Sequence, residues 1–177
     1  MNNKVKNLSG FTLIELLAVV SVVAIMSGIF MVNYHGTNKR SELVAVKQKL
    51  ASDIRVAQNY SLGSKTYDGV NTPAGGWGAH FSLDDPTHYI IFADKNEPDG
   101  NKTYDAGEAI ETKTLPAGIT IDYLSPANTV DIVFFPPDPI TYINNSALAS
   151  AQIRLKENIN NTTATVLVNF FGLIDTN

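Results

Sequence analysis

A single carboxylate, Glu15, interrupts an otherwise apolar run that covers residues 11–32. As a helix this run would span roughly 33 Å, at about 1.5 Å per residue, which is enough to cross a bilayer core of about 30 Å. An ionisable group in such a segment costs roughly 2.5–3.5 kcal/mol at the centre and less near an end. The run therefore predicts a membrane-spanning helix whose carboxylate is compensated from outside, and we favour a positive charge on a neighbouring chain.

The segment before the run is a short polar leader, residues 1–10, whose only charges are Lys4 and Lys6. By the positive-inside rule these lysines keep the N-terminus in the cytoplasm and direct the rest of the chain outward. An ordinary secretory signal is cleaved after its apolar core, which is then lost. Cleavage between Gly10 and Phe11 would instead retain the core and create an α-amino group four residues before Glu15.

Residues 10–17, Gly-Phe-Thr-Leu-Ile-Glu-Leu-Leu, resemble the class III signal of type IV pilins and type II secretion pseudopilins. The resemblance implies that a prepilin peptidase cleaves after Gly10 and N-methylates Phe11. It also implies that Glu15 pairs with the N-terminal amine of a neighbouring subunit in a filament. In a low dielectric such a pair would offset burial and fix the axial register of adjacent chains. The alternative is a signal anchor with an incidental glutamate.

Composition limits the rest of the chain, which has 177 residues and is 44% hydrophobic. This is material for one membrane segment and one globular domain of about 110 residues. Cysteine is absent, which excludes disulfides, thiol catalysis and cysteine metal sites. Without Lys4 and Lys6 the chain keeps 11 basic against 17 acidic side chains, a net charge of −6. Nucleic acid is therefore not expected as a partner, since it needs clustered basic side chains.

Four segments are predicted: a prepilin leader at 1–10, a transmembrane or filament-core helix at 11–32, an amphipathic continuation at 33–62 and an extracytoplasmic β-rich domain at 63–177. The continuation has an apolar stripe with spacings of three and four residues, formed by Leu43, Val46, Leu50, Ile54 and Ala57. Gly63 is the expected helix stop.

From residue 64 the pattern changes to short strands separated by Gly, Pro, Asp and Asn. We predict strands at 77–83, 89–94, 109–115, 119–124, 130–135, 151–157 and 165–174. No helical crossover separates them, so an antiparallel arrangement is expected. The predicted fold class is α+β: a long N-terminal α-helix, transmembrane in its first half, followed by a C-terminal domain of two small antiparallel β-sheets.

The order of four short motifs in this domain resembles the minor pseudopilins of the GspH/FimT type. The motifs are Ile-Ile-Phe-Ala-Asp at 90–94, Asp-Ala-Gly-Glu at 105–108, Leu-Pro-Ala-Gly-Ile at 115–119 and Val-Asn-Phe-Phe-Gly-Leu at 168–173. The resemblance implies a minor subunit, at or near the filament tip, that helps to start a type II secretion pseudopilus or a type IV pilus. Its implied partners are other pilin or pseudopilin subunits, the prepilin peptidase and the inner-membrane assembly platform. Its implied location is the bacterial inner membrane, with a single pass, before assembly into a periplasmic or extracellular filament.

A second interpretation is a pilus-borne binding module for DNA, a surface or a secretion substrate. Some FimT-like proteins bind DNA through basic residues near the C-terminus, but this chain has no base after Lys156. A third is a membrane-anchored β domain that does not polymerise.

The acidic turn at 94–108 is the main candidate site outside the helix. The residues Asp94, Asn96, Asp99, Asp105 and Glu108 resemble the oxygen ligands of a calcium loop. Their spacing departs from the 12-residue pattern, so a solvated connection rich in turn formers is favoured and calcium is the alternative. Other cofactors are not expected. His35, His80 and His88 are scattered, and no nucleophile, zinc or phosphate-loop motif is present, so we do not expect an enzyme.

Overall fold

The computed structural model describes residues 10–136, 140–147 and 149–176, with side chains described outside residues 32–38. A helix, α1, spans Leu13–Leu62, and nine strands in two antiparallel sheets follow it within these residues. The predicted α+β layout is thereby confirmed. The chain divides into two compact units, Met1–Asn38 and Lys39–Asn177, which are described separately.

In the first unit, α1 begins at Leu13, two residues later than predicted, because Phe11 and Thr12 lie outside the helix. The stretch Leu13–Met31 has 19 residues and a mean hydropathy of 2.5, and none of it is buried. By length and composition this stretch can cross a membrane.

The second unit contains the strands. They are β1 Gly76–Ser82, β2 His88–Asp94, β3 Ala109–Thr114, β4 Ile119–Ser125, β5 Thr129–Phe135, β6 Ile140–Ile143, β7 Ala151–Glu157, β8 Thr163–Val168 and β9 Ile174–Thr176. A five-stranded sheet has the order β3-β2-β1-β5-β6, and a four-stranded sheet has the order β4-β7-β8-β9.

Two strand predictions are wrong. β6 was not predicted, because it is only four residues long and follows a proline-rich stretch. The predicted strand at 165–174 is two strands, β8 and β9, separated by a turn. In this turn Gly172 has a φ of 76°, a left-handed conformation that an extended strand does not contain. A Cβ at this position would also meet the side-chain amide of Gln58 at 2.6 Å.

The core of the second unit lies between α1 and the two sheets. The predicted helix stripe is confirmed: its five side chains are at most 9% exposed and belong to one cluster with the inward faces of both sheets. A polar contact also joins helix to sheet, since the Tyr89 hydroxyl donates to the Asp53 carboxylate at 2.6 Å. Burial and this hydrogen bond raise the pKa of Tyr89.

The end of α1 differs in detail from the prediction. The helix ends at Leu62 as expected, and the Gly63 N–H still bonds to the Asn59 carbonyl at 2.9 Å. The residue with positive φ is Ser64, at 48°, and not Gly63. Gly63 therefore continues the last helical turn, and the change of direction comes one residue later.

The outer face of the five-stranded sheet is covered by the connection between β2 and β3. The Tyr104 ring lies 4.5 Å from that of His80 and 5.4 Å from that of Phe92, and the Lys102 ammonium lies 3.9 Å above the Phe135 ring. Phe92 and Val133 are fully buried although neither belongs to the main core cluster. This sheet therefore has a second, smaller apolar layer beneath residues 95–108.

Candidate assembly site at the start of the helix

The proposed cleavage point lies in non-helical chain. Gly10 and Phe11 precede α1 and are exposed, Phe11 at 80%. A Cβ added to Gly10 would meet no atom within 4 Å among the described residues. The peptide bond between the two residues is therefore outside the hydrogen-bonded helix and open to a protease.

The first turn of α1 is capped by Thr12. Its hydroxyl accepts the Glu15 N–H at 3.3 Å, and its carbonyl accepts the Leu16 N–H at 3.2 Å. Thr12 is thus the N-cap and Glu15 the third helical residue, the spacing found in a capping box. This cap was not predicted from the sequence, although Thr-x-x-Glu before an apolar run is its usual signal.

Glu15 is exposed in this first turn, where a negative charge is favoured by the helix dipole. Within the described part of the chain its carboxylate has no salt-bridge partner. Glu15 is two residues beyond Leu13, so about 3 Å inside the candidate span by helical rise. The free energy needed to insert its carboxylate into a membrane is therefore that of a group near one end of the span, which is lower than at the centre.

The apolar span also contains Ser21, whose hydrogen bonding differs from that of Glu15. Its hydroxyl donates to the Leu17 carbonyl at 2.7 Å, one turn earlier in the same helix. The polar group of Ser21 is thus satisfied inside its own chain, whereas the Glu15 carboxylate is available to an external cation.

One comparison with known proteins concerns the same segment. The family model described as the prokaryotic N-terminal methylation motif matches residues 6–31, which include Gly10, Phe11 and Glu15. The match supports a type IV pilin-like or pseudopilin protein that is processed by prepilin peptidase and assembles with other pilins. It points to a structural protein rather than an enzyme, anchored in a membrane before assembly into a pilus. Comparison with curated proteins and comparison with solved structures each give no match.

In the acidic turn, Asp94 acts as a local hydrogen-bond acceptor. Its buried carboxylate accepts the backbone N–H groups of Lys102, Asn96 and Asn101 at 2.8, 3.3 and 3.4 Å. The carboxylate also lies where a Cβ of residue 75 would be, so only glycine fits there. Asp94 therefore holds together the two ends of the turn and the chain before β1.

Among the other calcium candidates, Glu108 and Asp105 also accept hydrogen bonds within the turn, whereas Asp99 is exposed. Glu108 accepts the N–H groups of Lys95 and Asp105 at 2.8 and 2.9 Å. Burial raises the pKa of Glu108 above its ordinary value, although the two hydrogen bonds act in the opposite direction. The Asp105 carboxylate accepts the side-chain amides of Asn96 and Asn101, and Asp99 is exposed.

The described residues contain no group of three or more His, Cys, Asp and Glu side chains arranged to hold a metal. His80 pairs with Asp131 at 2.6 Å, and His88 pairs with Asp85 at 2.8 Å. The side chain of His35 lies outside the described set.

Proposed function

We propose that this chain is a minor pilin or pseudopilin of the GspH/FimT type, a structural subunit that polymerises through its N-terminal helix. The observation that carries the proposal is the coincidence of three features at one place. A methylation motif matches residues 6–31, the Gly10–Phe11 bond lies outside the helix, and Glu15 lies in the first turn of an exposed apolar span.

The proposed sequence of events follows from these features. The chain is inserted with its N-terminus in the cytoplasm and its second unit outside, and prepilin peptidase removes residues 1–10 and methylates Phe11. The assembly platform then transfers the span from lipid into a filament core. There the Glu15 carboxylate meets the amine of a neighbouring subunit, and the pair is stabilised by the low dielectric around it.

The finer proposal, a minor subunit in the tip or initiation complex, is supported by the four motifs of the GspH/FimT type. The Val-Asn-x-x-Gly motif has a clear structural role here. Val168 is fully buried, and the Asn169 side chain accepts the N–H groups of Phe171 and Leu173, both at 3.0 Å. The motif thus specifies the turn that ends β8.

The test of the proposal is replacement of Glu15 by Val in the full chain, expressed with its peptidase and assembly machinery. Removal of the carboxylate lowers the cost of insertion, so the carbonate-resistant membrane fraction should be unchanged or higher. Incorporation into sheared filaments should fall at least about tenfold, because a factor of ten needs only about 1.4 kcal/mol.

Ser21→Ala is the matched control, since it removes a polar group that is satisfied within its own helix. It should assemble like the wild type. Mass spectrometry should show a mature chain that starts at a methylated Phe11. Normal incorporation of Glu15→Val, or an intact Met1 in the filament, would refute the proposal.

A further inference from the structure

The chain contains six copies of the pattern Asn-x-Ser/Thr, with x other than proline, which is the acceptor pattern for N-linked oligosaccharides. Their asparagines are Asn7, Asn59, Asn101, Asn144, Asn160 and Asn161. The first lies in the leader, outside the described residues, and the other five lie in the second unit. An attached oligosaccharide is bulky and must lie at a surface. An acceptor therefore needs an accessible side-chain amide and an accessible hydroxyl two residues later, and the structure distinguishes the five on these two points.

At two of the five sites the side-chain amide is used within the fold. The Asn101 amide donates to the Asp105 carboxylate at 2.7 Å, and the Asn101 side-chain oxygen accepts the Thr103 N–H at 3.0 Å. The Asn144 amide donates to the Thr129 carbonyl at 2.9 Å. Attachment of a sugar to either nitrogen would therefore disturb a hydrogen bond that holds a loop.

At a third site the hydroxyl is inaccessible. Asn59 is exposed on α1, but Ser61, two residues later, is 2% exposed, and its hydroxyl donates to the Phe134 carbonyl. The segment is also part of the last turns of α1. A transferase could therefore reach this hydroxyl only by unwinding the end of the helix.

The last two sites overlap at residues 160–163, Asn-Asn-Thr-Thr, which connect β7 to β8. The Asn160 amide donates to the Glu157 carboxylate at 3.0 Å, and the hydroxyl oxygen that completes its pattern, that of Thr162, is buried. The pattern that starts one residue later differs on both points. Asn161 is exposed, and its side chain makes no hydrogen bond with another described residue. Thr163, two residues later, is exposed at the first position of β8.

The backbone presents this pattern in a fixed turn. Asn161 has a φ of 54°, a left-handed conformation that asparagine adopts more readily than most residues. The Glu157 N–H donates to the Thr162 carbonyl at 2.8 Å, and Lys156 pairs with Thr163, so the hairpin is closed directly behind the turn. A group added to the Asn161 side chain therefore displaces no strand of the fold.

We infer that Asn161 is an N-glycosylation site whose acceptor pattern is completed by Thr163. In the transfer, the Asn161 amide nitrogen forms a bond to the anomeric carbon of an oligosaccharide, and the bond from that carbon to the diphosphate of a lipid carrier breaks. The diphosphate leaves with the bonding electron pair, the amide nitrogen loses one proton to a base of the transferase, and nothing is oxidised or reduced. The inference rests on the proposed function for one point, the export of the second unit to the side of the membrane where lipid-linked oligosaccharides are transferred.

The test is mass spectrometry of the full chain purified from the cells that naturally produce it. A peptide that contains residues 158–163 should carry the mass of an oligosaccharide, and fragmentation that retains the sugar should place it on Asn161. Asn161→Gln and Thr163→Ala should each abolish the added mass, whereas Thr163→Ser, which keeps the hydroxyl, should retain it. The comparison of alanine with serine separates recognition of the hydroxyl from a structural effect of residue 163.

Thr162→Val is the matched control. It removes the hydroxyl of the overlapping Asn160 pattern with little change of shape, and it leaves Asn161 and Thr163 in place. The mass added to Asn161 should therefore be the same as in the wild type.

Three results would overturn the inference. They are an unmodified Asn161 in the exported chain, an added mass that survives Asn161→Gln and Thr163→Ala, and a loss of the added mass in Thr162→Val, which would identify Asn160 as the acceptor.

These measurements do not require filament assembly, so the two proposals can fail separately. An unmodified Asn161 in a chain that starts at a methylated Phe11 and needs Glu15 for incorporation overturns only the glycosylation site. Normal incorporation of Glu15→Val overturns the proposed function, whatever residue 161 carries.

Discussion

Replacement of Asp94 by alanine should destabilise the second unit more than any other change in the acidic turn. The carboxylate is fully buried and accepts three backbone N–H groups. Alanine provides no acceptor, and the protein interior leaves little room for water to replace it. The Lys102 N–H, whose bond is the shortest at 2.8 Å, is left without its partner in a buried residue.

The size of the effect follows from these contacts. A buried donor left unsatisfied costs about 1–3 kcal/mol, and the two longer bonds, at 3.3 and 3.4 Å, contribute less. The sum is about 2–4 kcal/mol, a large part of the roughly 5–15 kcal/mol that stabilises a typical domain. For a unit of this size the melting temperature should fall by roughly 10 °C.

The assay is urea and thermal unfolding of residues 39–177, the compact second unit, followed by circular dichroism. Asp99→Ala is the control: it removes a carboxylate from the same turn, but that side chain is exposed. Its effect should stay within about 0.5 kcal/mol. If Asp94→Ala and Asp99→Ala unfold at the same midpoint, Asp94 does not hold the turn together and the reasoning is wrong.

Two further predictions concern the helix start and acid stability. Thr12→Ala should destabilise the first helical turn by about 1 kcal/mol, because it removes the hydroxyl that accepts the Glu15 N–H. Amide exchange of the first turn in detergent should therefore be faster in Thr12→Ala than in the wild type and unchanged in Thr12→Ser. Equal exchange rates in the two variants would exclude the cap. Burial of Glu157 raises its pKa, but hydrogen bonds from Asn160 and Ile159 outweigh this and leave the pKa below its ordinary value of 4.5. Glu157 therefore adds stability that is fully present above about pH 4.5 and is lost as the pH falls through the lower, folded-state pKa. Urea midpoints of the second unit between about pH 6 and pH 3 should fall less in Glu157→Gln than in the wild type, and parallel curves would contradict this.

Periodicity was sufficient to predict the elements that bury one face. The stripe from Leu43 to Ala57 was recognised because side chains three and four residues apart share a helix face, and all its members are buried. The strand at 151–157 was predicted with its observed bounds, because residues 151–156 alternate apolar and polar side chains.

Elements that depend on distant contacts were harder to predict. β6 has no clear pattern of its own and is a strand because it pairs with β5. The turn after Val168 was read as strand because Phe170 and Phe171 favour strands, whereas the hydrogen bonds of Asn169 fix the turn. The burial of Phe92 beneath Tyr104 could not be foreseen either, since it requires residues 95–108 to fold back on the sheet.

The candidate assembly site could be proposed from the sequence because its signal is local. A lone carboxylate in an apolar run and a glycine at the end of a polar leader need no tertiary contact to be recognised. The Thr12 cap is equally local, but it was not predicted. It is identified by the hydrogen bond that the Glu15 N–H donates to the Thr12 hydroxyl.

Within residues 168–173, some positions fix the turn after β8 and others only occupy its surface. Val168 is buried, Asn169 accepts hydrogen bonds within the turn, and Gly172 adopts a φ of 76° beside Gln58, so these three positions determine the local fold. The side chains of Phe171 and Leu173 remain largely in water, and the fold does not need their apolar character. Exposed apolar residues reduce solubility, and the fold would equally accept polar residues at these two positions.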